Sequence, residues 1–161
     1  MKKVLLMVCL IASTMIVKAQ EEVSFNDEEL TKYATVMVWA ELEKGKMTGI
    51  YNEWINNDET LVASRFVEIK KTKGDSLKLQ EIAVTNDEVV AFEMIQANYD
   101  SMINSFTDVY KAELKEKVSY GLYNKLRKAL KADADLKTRY QTIYDGLLEE
   151  QKSSGSDESD E

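Results

Sequence analysis

The chain has 161 residues, 21 basic against 29 acidic side chains, a formal net charge of −8, 44% hydrophobic residues, no His, no Pro and a single Cys. That size is one typical domain, long enough to bury about two-thirds of the surface its unfolded form exposes, so neither metal nor disulfide is needed to hold it. The missing imidazole removes a His general base and the ordinary zinc and haem ligands, the acidic balance argues against nucleic acid, and what remains for chemistry, apart from the one thiol, is carboxylates, amines, hydroxyls and phenols.

Residues 1–19 are expected to be a secretory signal peptide. Lys2 and Lys3 form a positive n-region, Val4 to Val17 an apolar stretch, and Val17-Lys18-Ala19 places small or apolar residues at −3 and −1, so cleavage is expected before Gln20. The apolar run falls short of the ~20 residues needed to span a bilayer, and no transmembrane helix is expected in the mature chain. Cys9 sits inside the apolar core behind the bulky Val8, the wrong place for a lipid anchor. Cleavage removes that one thiol and three basic residues, Lys2, Lys3 and Lys18, taking the net charge from −8 to −11. The protein is therefore expected to be exported, to the periplasm or the medium.

Residues 20–150 are expected to form one all-α domain, since nothing in them alternates as a strand would and no Pro interrupts a helix. The first helix is read over 27–56, with Asn26 as N-cap and Asp27, Glu28 and Glu29 facing the positive helix end. Asn56-Asn57-Asp58 closes it and caps a second helix over 59–73, with Leu61, Val62, Phe66 and Ile69 inward. Gly74-Asp75 breaks the chain before a short helix at 76–83. A second long helix follows over 87–118, capped by Thr85 or Asn86, then helices at 120–132 and 135–151, with Asp133 or Asp135 as the cap between them.

Shifted by 59 positions, the chain overlays on itself. Leu30, Tyr33, Met37, Ala40, Lys44, Met47, Tyr51 and Trp54 step by three and four, and so do Val89, Phe92, Gln96, Tyr99, Ile103, Phe106, Tyr110 and Glu113. The pattern predicts a helical bundle made of two similar units of about 59 residues, each a long helix followed by shorter ones, with the aromatic positions of the long helices buried. Lys44 faces Ile103 in the other register and Gln96 faces Met37. Such swaps either fix one register or, the simpler reading, mark the edge of the seam where both polar chains reach solvent. Gly45 and Gly49, four apart, fit a close helix approach or a kink equally. Residues 151–161, QKSSGSDESDE, contain no apolar side chain and are expected to be a disordered acidic tail.

No catalytic, cofactor-binding or metal-binding residue is assigned. Asp133-Ala134-Asp135 opens like a calcium loop, but Lys137, Thr138 and Tyr144 stand where a ligand, a Gly and a Glu belong, so helix capping is the better reading. Carboxylate groups such as Asp27/Glu28/Glu29, Glu41/Glu43 and Glu113/Glu116 sit where a solvated helix face should, and there is no phosphate loop or nucleophile elbow. Two basic patches, Lys70-Lys71-Thr72-Lys73 and Lys125, Arg127, Lys128 and Lys131, lie at matching places in the two units and are expected to pair with neighbouring carboxylates. Asp75-Ser76-Leu77 and Asp100-Ser101-Met102 match the Asp-Ser-aliphatic acceptor of a bacterial O-glycosylation system.

The segment from Gly121-Leu122-Tyr123-Asn124-Lys125 through Asp133-Ala134-Asp135-Leu136-Lys137-Thr138-Arg139 resembles the C-terminal signature of the DUF4168 family, and Asp27-Glu28-Glu29-Leu30-Thr31-Lys32-Tyr33-Ala34 resembles that family's entry. The spacing from Gly121 to Tyr123 is shorter than in the family pattern, and Ala134 replaces its Pro. The resemblance, spanning about Val23 to Leu148, implies an exported bacterial helical domain with no known activity. The expected function is a non-catalytic interaction module without cofactors, binding an unknown protein or cell-envelope partner. The alternatives are a holdase-like envelope chaperone, since Leu30-Thr31 is similar to the opening of the LTxxQ motif although Ala34 replaces its Gln, and a carboxylate-based hydrolase.

Overall fold

The computed structural model describes residues 24–156, all helices and connections, with no strand among them. Helix α1 spans Asp27–Asn56, α2 Ala63–Thr72, α3 Ser76–Glu81, α4 Asn86–Glu113, α5 Tyr120–Ala132 and α6 Ala134–Ser156, and a single π-helical turn, Leu114–Val118, leads out of α4. The expected signal peptide lies outside the described residues. So does the end of the acidic tail, but its start is corrected: α6 runs on to Ser156, with the Ser153 and Ser154 hydroxyls donating to the Glu150 carbonyl.

Both long helices begin with the same device. Asn26 accepts from the Glu29 amide at 2.9 Å while Glu29 accepts from the Asn26 amide at 3.1 Å, and Thr85 and Glu88 exchange the same pair at 3.2 and 2.8 Å. Each capping box satisfies two amides that a helix start leaves free. Asp133 is the cap before α6, accepting from the Leu136 amide at 2.9 Å. The start of α2 differs from expectation. Asp58 closes a turn on the Thr60 and Leu61 amides instead of capping a helix, so α2 begins only at Ala63 and Val62 is left exposed while Leu61 is fully buried.

Helices α1 and α4 run antiparallel: Met37 meets Tyr110, Trp39 stacks on Phe106 at 5.8 Å, and Tyr51 meets Tyr99 at 4.2 Å between ring centroids. This pair is shared by two cores. At one end Leu30, Tyr33 and Val36 of α1 pack with Leu114 and Val118 of the π turn, Leu126 of α5 and Leu136 of α6. At the other, Leu61, Phe66 and Ile69 pack with Ala91 and Ile95 of α4, flanked by Tyr51, Trp54 and Phe92. The π turn places Leu114 and Val118 together on the inner face, and Ser119, with φ at 64°, then reverses the chain and caps α5 by accepting from the Leu122 amide at 3.3 Å. Of the aromatic and Met positions expected inside, Tyr33 and Met47 are buried, whereas Tyr51, Phe92, Phe106 and Tyr110 are half-buried because α2, α3 and α5 are too short to cover the full length of the central pair.

Arginines tie down both long-helix starts. Arg139 of α6 donates to the Phe25 carbonyl at 3.3 Å and to Asp27 at 2.5 Å. Arg65 of α2 donates to Glu88 at 2.7 Å, to the Ile82 carbonyl at 2.7 Å and to Glu68 at 3.0 Å.

Candidate binding groove

Helix α6 lies parallel to α1, with Arg139 at Asp27, Tyr140 against Tyr33 at 5.5 Å and the Tyr144 hydroxyl donating to Glu41. Two neighbouring depressions open along this contact, with Tyr33 and Leu130 in the lining of both, and together they make up the candidate groove. The larger, about 600 Å³, lies at the junction of α5 and α6 and carries Arg127, Lys131 and Lys137. The smaller, about 460 Å³, lies between α1, α6 and the end of α4 and is walled by Met37, Tyr110, Tyr140 and Tyr144, with Glu41 and Lys44 towards its far end. Both are open to solvent along much of their length, surface depressions rather than enclosed cavities.

The phenols of this groove stay neutral. Burial raises Tyr33, Tyr110, Tyr140 and Tyr144 above the ordinary value of 10.0; at Tyr144 the Glu41 carboxylate, held by the same hydroxyl, adds to it, and at Tyr33 the nearby Arg127 charge works the other way. Each ring therefore offers an apolar face and a neutral hydroxyl, the pairing that suits a binding wall.

The charged ends of the groove are unlike. Both of its carboxylates are occupied, Glu41 by the Tyr144 hydroxyl and Asp133 by the α6 cap. Arg127, Lys131 and Lys137 make no ion pair or hydrogen bond among the described residues. This corrects the expectation that the second basic patch is neutralised by neighbouring carboxylates. The first patch differs again: Lys70 stacks on Tyr51 and Phe66 at 5.3 and 5.8 Å and donates to the Tyr51 hydroxyl at 3.3 Å.

Other residues singled out from sequence fall elsewhere. Ser76 is the exposed first residue of α3, next to its cap Asp75, and Ser101 is exposed in the middle of α4. Gln96 does not simply reach solvent: its amide donates to Tyr51 across the α1–α4 contact, while the exposed Lys44 lies over the Phe106 ring at 5.7 Å. Gly45 and Gly49 sit inside an unbroken α1, with nothing within 4 Å of where a Cβ would stand, so they mark no close approach. Among the described residues no group of three or more His, Cys, Asp or Glu could hold a metal ion, and no helix is long and apolar enough to cross a membrane. Sequence reasoning missed Tyr140, Tyr144 and Leu130 as groove residues. For the two tyrosines the signal was the apolar stripe Leu136, Tyr140, Ile143 and Leu147 of α6, which shows a face without showing what it meets.

The fold and groove define a small all-α bundle with an aromatic-walled surface cleft that is basic at one end. No protein-family model, no curated protein and no solved structure matches the chain.

Proposed function

We propose that this protein is an exported, non-catalytic helical binding module that takes its partner in the groove between α1, α5 and α6. The observation that carries this reading is the groove itself: its walls are apolar and phenolic, and its two carboxylates lie apart, Glu41 accepting from Tyr144 in the smaller depression and Asp133 from the Leu136 amide at the edge of the larger. Glycoside hydrolysis needs two carboxyl groups flanking the scissile bond, one to move a proton and one to attack or activate water. A holdase needs a broad apolar concavity, whereas the exposed large apolar side chains here, among them Ile50, Val67, Leu77, Met94, Val109 and Tyr120, are distributed over α1 to α5. Export rests on the n-region, apolar core and Ala19, and the DUF4168 resemblance points the same way.

The same reading makes the domain a duplication of one unit of about 59 residues. Matching positions support it: the capping boxes Asn26/Glu29 and Thr85/Glu88 and the buried Val36 and Ile95 stand 59 apart, whereas in the short helices Phe66 and Tyr123, Leu61 and Val118, and Ile69 and Leu126 correspond only at an offset of 57. Each long helix then packs its second half with its own short helices and its first half with those of the other unit.

The test is made on protein recovered from its own cells. Mass spectrometry should find the chain starting at Gln20, and the purified chain should show no turnover of peptides, peptidoglycan or glycans. A hydrolytic rate abolished by Glu41→Gln would replace the module with an enzyme, and an intact Met1 on the recovered pool would remove export.

A further inference from the structure

The chain has three arginines, and two of them are fixed within the fold, Arg65 on Glu88, Glu68 and the Ile82 carbonyl, Arg139 on Asp27 and the Phe25 carbonyl. The third, Arg127, has no acceptor among the described residues and faces the larger cavity together with Lys131 and Lys137. Three like charges around one cavity repel one another, and in a chain with 29 acidic residues a neighbouring carboxylate could have neutralised them. The one carboxylate present, Asp133, is turned to the Leu136 amide. Beyond Tyr33 and Leu130 the groove changes character to Met37, Tyr110 and Tyr140, and it ends near Glu41 and Lys44, whose opposite charges offset one another, so the net positive charge sits at the Arg127 end.

We infer that the groove binds a free single-chain amphipathic anion, its one carboxylate or phosphate among Arg127, Lys131 and Lys137 and its apolar body along Tyr33, Leu130, Met37 and Tyr110. The guanidinium presents a planar fork matched to carboxylate and phosphate oxygens, and the two ammonium groups add charge with less directional demand. The neutral phenols line the body of the ligand without adding charge. This inference rests on the reading of the groove as the docking face and names what it takes.

The test is calorimetric titration of the purified chain with laurate and with dodecyl phosphate, each kept below its micelle-forming concentration. Dodecyltrimethylammonium and inorganic phosphate serve as controls for charge and for head group, and phosphatidylglycerol vesicles as the bilayer source of the same chemistry. The two single-chain anions should bind saturably, one per chain. Arg127→Gln should weaken them by about tenfold or more, the loss expected for a charge-assisted hydrogen bond, and Arg127→Lys should recover part of it. Arg127 is exposed, so the variant keeps its fold, checked by its helical circular dichroism; Asp108→Asn on the outer face of α4 should leave binding unchanged. Equal affinity for the cationic amphiphile, equal affinity for inorganic phosphate, an unchanged Arg127→Gln variant, or binding to vesicles alone would each overturn the inference. If the anions fail to bind while cross-linking from the groove still captures a partner, the ligand class falls and the module stands.

Discussion

Gln96 donates through its side-chain amide to the Tyr51 hydroxyl where, at the matching place in the other register, the Tyr110 hydroxyl meets the Met37 sulfur at 3.8 Å. One tyrosine at each end of the α1–α4 contact thus chooses a different partner, an amide in one core and a thioether in the other. Lys70 also reaches Tyr51, so its hydroxyl is served from two helices. Gln96→Ala should cost about 1 kcal/mol, the ordinary net worth of one hydrogen bond. Gln96→Met, which copies the matching position, should recover the packing but not the bond. A double-mutant cycle with Tyr51→Phe, read by chemical denaturation, checks this: a coupling indistinguishable from zero would mean that the contact fixes nothing.

The acid limb of stability should be set largely by Glu88. The Arg65 guanidinium, followed by the Thr85 amide, holds its carboxyl at about 2 instead of 4.5. A carboxyl lowered in the folded state contributes stability that is fully present above its unfolded value and is lost as pH falls through its folded value. Stability should therefore decline between about pH 4.5 and about pH 2. Glu88→Gln should lower the melting temperature at neutral pH and flatten that decline. Parallel pH profiles for the variant and the parent would show Glu88 to be incidental.

Phenolate titration offers a separate check on the groove. Of the eight tyrosines, Tyr33, Tyr110, Tyr140 and Tyr144 are pushed above the ordinary range, chiefly by burial. Ultraviolet titration should resolve a late-ionising group in the folded protein that merges with the rest in denaturant. Glu41→Gln should bring Tyr144 down by removing the carboxylate beside it. A single ionisation step at the ordinary phenol value in the folded chain would contradict the packing of α6 on α1.

Core truncations should rank by burial, not by residue type. Phe66 is 2% exposed and sits among Tyr51, Phe92 and Ile69, so Phe66→Ala should cost about 3–5 kcal/mol. Phe106, stacked between Trp39 and Tyr110 but half-buried, should cost less, because its site can refill with water or with the Lys44 stem. Equal losses by denaturant unfolding would contradict this order.

The helices were legible where their chemistry is local. Asp27–Asn56 and Tyr120–Ala132 fall where periodicity and capping residues put them, and Thr85 with Glu88 is a capping box readable from four residues. Errors fell where one side chain had two local uses. Asp58 could cap a helix or close a turn on Thr60 and Leu61, and it does the latter. The polar run after Gln151 continues α6 as far as Ser156, where no Pro stops it and the Ser153 and Ser154 hydroxyls find an acceptor in the Glu150 carbonyl. The groove was not legible. It depends on α6 running parallel to α1 across more than a hundred residues, as in the Tyr144–Glu41 and Arg139–Asp27 contacts, and periodicity shows that a helix has an apolar face without showing what that face meets.

The most direct measurement of the central claim is site-specific photo-cross-linking in the protein's own cell envelope. A photoreactive side chain is placed at the exposed groove positions Lys137 and Gln141 and, in separate variants, at the exposed outer positions Lys78 and Asp108. The account predicts one discrete adduct, a partner molecule unchanged in mass by the protein, from Lys137 and Gln141 and none from Lys78 and Asp108. Equal labelling from all four positions, or a cleaved product at the groove, would contradict it.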